Sequence, residues 1–267
     1  PEQENAINLT KKYFTKIKNE KIMKSSHFLW NAKMRFGKTF TTYKLSERMN
    51  WKKILILTFK PAVQNSWYED LMFHVDFEDW QFISKNDKGF QDIDPSKPFV
   101  CFGSFQDYLG RNSVGGIKPK NEWVHITNWD CVVFDEYHYG AWRENAKDLF
   151  ENEDLEEKKF AEGEATNYFA EENLPITTDH FLYLSGTPFR AIASGEFIEE
   201  QIFNWTYSDE QKAKIEFEGK ENYYEALPRM VMMTYQLPDS IIDIAKDGEF
   251  NEFDLNTFFF AEGIEED

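Results

Sequence analysis

The chain has 267 residues, of which 41% are apolar and 17% aromatic, enough for one large domain or one domain with an appendage. That content excludes general disorder, and no run approaches the ~20 consecutive apolar residues of a membrane span. The net charge of −18 argues at first against a polyanionic partner, but residues 1–70 hold 14 Lys/Arg against 6 Asp/Glu, while residues 71–267 hold 16 against 42. One basic face and one acidic face is one reading, and ordinary solvated surface is the other.

The N-terminus, Pro1-Glu2-Gln3-Glu4, lacks a basic-then-apolar secretory pattern, and its abrupt start suggests a piece of a longer protein. Five short apolar runs follow: Phe28–Trp30, Ile54–Leu57, Phe99–Phe102, Cys131–Phe134 and Phe181–Leu184. Their apolarity is continuous, not alternating, which predicts strands covered on both faces in a parallel sheet. Segments between them, such as Lys38–Asn50, Ala62–Phe73 and Ala141–Phe150, are long enough for crossover helices. The pattern predicts an α/β fold with a doubly wound, mostly parallel sheet. Cys101 and Cys131 fall inside two of these runs, so they read as buried reduced thiols, which fits a cytoplasmic setting.

Polar residues gather just after each run, at Asn31–Thr39, Thr58–Pro61, Gly103–Gln106, Asp135–His138 and Ser185–Pro188. Ligands bind at the carboxyl ends of strands in such a sheet, so these loops should share one edge. Glu151–Asn173 holds nine carboxylates and two lysines, and reads as an acidic helical insertion or loop. After Arg190 the pattern fades. One further strand is expected at Met230–Met233, and the tail Asp239–Asp267 mixes Phe258–Phe260 with many acids. The expected boundaries are a main domain over 1–205 and a C-terminal extension over 206–267.

Three segments carry chemistry. Ala32-Lys33-Met34-Arg35-Phe36-Gly37-Lys38-Thr39 fits a phosphate-binding loop, with Ala32 in place of the first glycine. Backbone N–H groups of Lys33, Met34, Arg35, Phe36 and Gly37 would cradle phosphates, Lys38 would bring positive charge to the outer ones, and the Thr39 hydroxyl would ligate Mg²⁺. Asp135-Glu136-Tyr137-His138 closes an apolar strand. Asp135 would hold Mg²⁺, and Glu136 would orient and deprotonate an attacking water. Ser185-Gly186-Thr187-Pro188 is either a turn of small residues or a link between nucleotide state and a second ligand.

Taken together, in this order, these segments resemble the DExH helicase and translocase superfamily (superfamily 2), specifically its first RecA-like domain. Met34–Thr39 and Leu184–Arg190 most resemble the motor subunits of type I and type III restriction enzymes. The resemblance covers roughly residues 1–205 and implies a RecA-like P-loop NTPase that binds ATP and Mg²⁺. It implies that Gln3 reads the adenine edge, with a surface glutamine as the alternative. It places Thr58, Lys60, Ser104 and Gln106 along a nucleic-acid backbone, and it gives His138, Ser185 and Thr187 the coupling of hydrolysis to movement. Such motors use a second RecA-like domain, which supplies arginines to the transferred phosphate and is not found after Arg190. The implied partners are nucleic acid, DNA more than RNA, with nuclease or specificity subunits and no membrane. A DExH helicase of another branch, or a P-loop ATPase switch that does not act on nucleic acid, are the alternatives.

Overall fold

The computed structural model describes residues 1–19, 25–84, 93–109, 118–137, 176–193 and 195–227. The chain divides into two compact units, residues 1–216 and 217–267. In the first, β1 (Ser26–Ala32), β2 (Lys53–Thr58), β3 (Gln81–Ser84), β4 (Phe99–Ser104), β6 (Cys131–Asp135), β8 (His180–Ser185) and β9 (Ile202–Trp205) form one sheet. Its order is β3-β4-β2-β6-β8-β1-β9, and every pairing is parallel. A small parallel pair, β5 (Asn128–Trp129) and β7 (Thr177–Thr178), precedes β6 and β8.

The strands are buried on both faces because their apolar runs are continuous. Alternate residues point to opposite sides. Phe28, Trp30, Ile54, Ile56, Val133 and Leu184 pack with Phe14 of α1 (Glu2–Asn19), Tyr43 of α2 (Lys38–Met49) and Trp67 of α3 (Gln64–Met72). Leu29, Leu55, Leu57, Val132, Phe134 and Tyr183 pack with Tyr108 of α4 (Phe105–Leu109), Val124 of α5 (Glu122–Ile126) and Ala191 of α6 (Phe189–Ala193). Helices thus cover both faces, and the doubly wound α/β expectation holds.

Several described elements lie outside the sequence reading, among them α1, β3, β9 and α7. Helix α1 buries Ala6, Ile7, Thr10 and Phe14, spaced at three and four residues, the signature of an amphipathic helix. Its Thr10 hydroxyl donates to the Ala6 carbonyl and accepts from the Trp30 indole N–H at 2.8 Å, so the polar groups buried beneath the helix are paired. Strands β3 and β9 have four residues each, too short to show a period. Helix α7 (Tyr207–Ile215) starts at Thr206, whose hydroxyl accepts from the Asp209 N–H while Asp209 accepts from the Thr206 N–H, a reciprocal cap. His138, the helix expected at 141–150, the acidic insertion, the strand expected at 230–233 and the tail lie outside the described residues. Cys101 and Cys131 are buried on β4 and β6. Among the described residues, no helix is long and apolar enough to cross a membrane.

Candidate functional site

Register aligns the polar ends of the strands. Thr58 lies level with Ser104 on one side and Asp135 on the other, while Asn31 lies level with Ser185 and Asn204. The five loops therefore share the carboxyl edge of the sheet, as the sequence led us to expect.

The loop between β1 and α2 turns through two left-handed residues, Arg35 (φ 67°) and Gly37 (φ 84°). Gly37 holds a φ that side chains rarely adopt, and a Cβ there would stand 2.6 Å from Gln3 Nε2, so the Gln3 amide would have to move. As the N-cap of α2, Gly37 has no side chain to satisfy the first-turn N–H groups, which leaves them for a ligand. Met34 and Arg35 are exposed, whereas Phe36 turns inward against Trp30 and Phe203 and can offer a ligand only its backbone. Gln3 Nε2 donates to the Phe36 carbonyl at 2.7 Å, so α1 reaches the loop through this side chain. Gly186 lies against the same loop, its Cβ position 3.6 Å from the Ala32 carbonyl.

Lys38 Nζ donates to the carbonyls of Ala32 (2.8 Å) and Lys33 (3.3 Å). Burial pushes its ammonium below the ordinary lysine value, and the nearby charges of Glu136 and Asp135 oppose that. Burial likewise pushes the Asp135 carboxyl above the usual carboxylate range. The hydrogen bond from the Trp67 indole opposes this, Glu136 adds to it, and Lys38 and the Glu136 N–H work against it. Glu136 itself has a left-handed backbone (φ 56°), and the next residue, Tyr137, donates its N–H to the Leu184 carbonyl at 2.9 Å. That bond fastens the Asp-Glu loop to β8, just before Ser185. The Ser185 hydroxyl is buried and accepts from the exposed Thr187 N–H at 3.2 Å. An ammonium, uncapped helix N–H groups, the Thr39 hydroxyl and two carboxylates are a donor set that suits a magnesium-bound polyphosphate.

The four residues expected along nucleic acid divide. Thr58 is fully buried, and its hydroxyl accepts from the Lys60 N–H at 3.0 Å. Ser104 is buried and exchanges bonds with Asp107, its hydroxyl donating to the carboxylate and accepting from the Asp107 N–H. Both hydroxyls shape their own loops. Lys60 and Gln106 are exposed, and a stacked Phe59–Phe105 pair, 4.3 Å between ring centroids, joins the two loops that carry them.

Residues 1–190 match the family model of the type III restriction enzyme res subunit. The chain belongs to this family. It is also 33% identical over 242 residues to a Mycoplasma pneumoniae protein described as the C-terminus of a type II restriction enzyme and methyltransferase. That match covers 80% of this chain but 33% of the relative, so the chain spans about a third of the relative's length. Among solved structures it is similar to the Sulfolobus solfataricus SWI2/SNF2 ATPase core in complex with dsDNA, with a TM-score of 0.39, 15% identity, and coverage of 66% of this chain and 31% of that one. As a member of the res-subunit family, the chain carries its helicase-type ATPase domain.

Sequence reasoning missed three side chains of this res-family site. Trp67 donates its indole N–H to Asp135 Oδ2 at 2.8 Å, and Tyr43 donates its hydroxyl to the Trp67 carbonyl at 2.7 Å. Neither residue has a local signal beyond apolarity. The third is Glu210 on α7, which pairs with Lys33 Nζ at 2.5 Å while Tyr207 lies 5.6 Å beneath the same ammonium. The Thr206-x-x-Asp209 cap marked that helix in the sequence, although nothing in it pointed to Lys33. The side chains of this pair are 20% and 5% exposed, and removing one partner strands the other. Glu210→Ala should therefore lower unfolding stability by about 2–3 kcal/mol, toward the lower end for a buried pair because Lys33 keeps some solvent. Urea unfolding checks this, and a midpoint unchanged from wild type would show that the pair contributes nothing.

Proposed function

We propose that this chain is the first RecA-like half of a DNA translocase in a restriction-type defence enzyme, which hydrolyses ATP to ADP and phosphate to move along duplex DNA. The observation that carries the reading is the meeting of Lys38, Asp135 and Glu136 at the sheet edge, where Gly186 of the Ser185–Pro188 loop lies against the backbone of Ala32–Met34. The main motor domain takes residues 1–205, and the segment 206–267 leads toward a second RecA-like domain. A DNA motor of this kind belongs in the cytoplasm.

In this reading the backbone of Lys33–Gly37 and the first turn of α2 bind the phosphates, and Lys38 neutralises their outer charge. Gln3 contacts the adenine edge. Thr39 and Asp135 would hold Mg²⁺, which when bound offsets charge on the phosphate oxygens. Glu136 orients the attacking water and accepts its proton as the water oxygen bonds to the terminal phosphorus and the bond to the ADP oxygen breaks. Ser185 and Thr187, with His138, link these events to the polymer. An arginine from the second domain would stabilise the charge that develops, which is worth ~10³–10⁵ in rate, so this chain alone should turn over slowly.

Lys60 and Gln106 contact the nucleic-acid backbone, where phosphates supply affinity without sequence information. Lys60→Ala should weaken binding by a similar factor across sequences and reduce the slope of log affinity against log salt by about 1. Fluorescence titration at several salt concentrations measures it, and an unchanged slope would contradict a phosphate contact. The function as a whole is tested by steady-state ATP hydrolysis in the complete protein with no polymer, duplex DNA, single-stranded DNA or RNA, using Glu136→Gln as the blank. Stimulation by duplex DNA alone supports the translocase. Stimulation by single strands points to a strand-separating helicase, and no stimulation by any polymer points to a nucleotide switch.

A further inference from the structure

Trp67 is 1% exposed, and a buried indole N–H needs a partner. Its partner is a carboxylate, not a carbonyl, and it is the carboxylate that closes β6 at the carboxyl edge. Asp135 is held at both oxygens: Oδ2 accepts from Trp67 at 2.8 Å, and Oδ1 accepts from the Glu136 N–H at 3.0 Å. Two fixed donors on opposite oxygens stop the carboxylate from rotating about its Cβ–Cγ bond. The indole is fixed in its turn. Tyr43 meets it edge to face at 5.5 Å and donates its hydroxyl to the main-chain carbonyl of Trp67, and Tyr43 stands on α2, the helix that begins at Lys38. The phosphate-side helix and the Asp135 carboxylate are thus braced through one pair of rings.

We infer that Trp67 is a positioning residue for Asp135, holding its carboxylate in the orientation in which the remaining lone pairs receive Mg²⁺. The inference rests on the reading of Asp135 as the metal-side carboxylate. Partners that orient a metal ligand through a hydrogen bond commonly contribute 10–100-fold to metal affinity, so the contact is expected to matter at that scale. Trp67 lies on α3, the helix that follows the Thr58–Pro61 loop in the chain.

The test uses the complete protein, MgCl₂ and ATP, with Trp67→Phe and a second variant carrying 3-benzothienylalanine at position 67. In that second side chain sulfur replaces the ring N–H and the shape is kept, so it decides the matter if the Phe variant does not fold. Calorimetry measures ATP affinity in EDTA and in Mg²⁺, and turnover is followed across a Mg²⁺ titration. The expected result is unchanged affinity in EDTA, a Mg²⁺-dependent gain in affinity reduced about tenfold, and turnover recovered at high Mg²⁺. Equal losses with and without Mg²⁺, or no loss in either variant, would overturn the inference, because a purely structural side chain does not sense the metal. Asp135→Asn runs alongside. If it shifts the Mg²⁺ response and the Trp67 variants do not, the inference fails alone. If it leaves the Mg²⁺ response unchanged, the metal reading of Asp135 fails and the inference falls with it.

Discussion

Lys38→Ala should abolish measurable nucleotide binding, weakening ATP affinity by at least ~100-fold. Charge-assisted hydrogen bonds contribute roughly 1.5–3 kcal/mol each, and the Lys38 ammonium would make more than one to a polyphosphate. The position is prepared for this. The side chain is half-buried, its Nζ rests on the carbonyls of Ala32 and Lys33, and burial lowers the pKa of its ammonium while the nearby carboxylates of Glu136 and Asp135 oppose that shift. In the proposed function, a bound phosphate would replace these carbonyl partners with anionic oxygens. The substitution also removes a donor from two loop carbonyls, at a cost of about 1–2 kcal/mol in stability, so thermal unfolding must accompany the binding measurement. Calorimetry showing unchanged ATP affinity in a folded Lys38→Ala protein would remove the loop from the nucleotide site.

Glu136→Gln should keep ATP binding and lose hydrolysis by roughly 10²–10⁴, the usual contribution of a positioned general base. Gln keeps the shape and can still orient a water, but it cannot accept the proton. The fold should tolerate the change. The left-handed backbone at Glu136 (φ 56°) strains Gln and Glu alike, and the bonds from the Glu136 N–H to Asp135, the Tyr137 N–H to Leu184 and the Tyr137 hydroxyl to Glu196 do not depend on a carboxylate at position 136. The measurement is single-turnover hydrolysis in the complete protein with DNA present, beside an ATP titration. Turnover near the wild-type rate would exclude Glu136 as the base. A parallel loss of binding would make the residue part of the nucleotide pocket instead.

Much of this was legible in the amino-acid order because it is local. Five continuous apolar runs specify buried strands whatever their neighbours are, and small or charged residues at their ends cannot be buried without partners, so they gather at an edge. The Gly37-Lys38-Thr39 turn is local too, since the φ of 84° needs a glycine just there. Helix α1 also carries a local signature in the spacing of Ala6, Ile7, Thr10 and Phe14, although it lies outside the sequence reading. What only the tertiary structure decided is everything that joins residues far apart in the chain. The strand order, the Trp67–Asp135 bond across 68 positions and the Lys33–Glu210 pair across 177 positions have no local signature. Burial decided the rest. Thr58 and Ser104 look like surface hydroxyls beside Lys60 and Gln106, yet their backbone turns draw those hydroxyls inward, where an unmet polar group would cost more than a lost external contact.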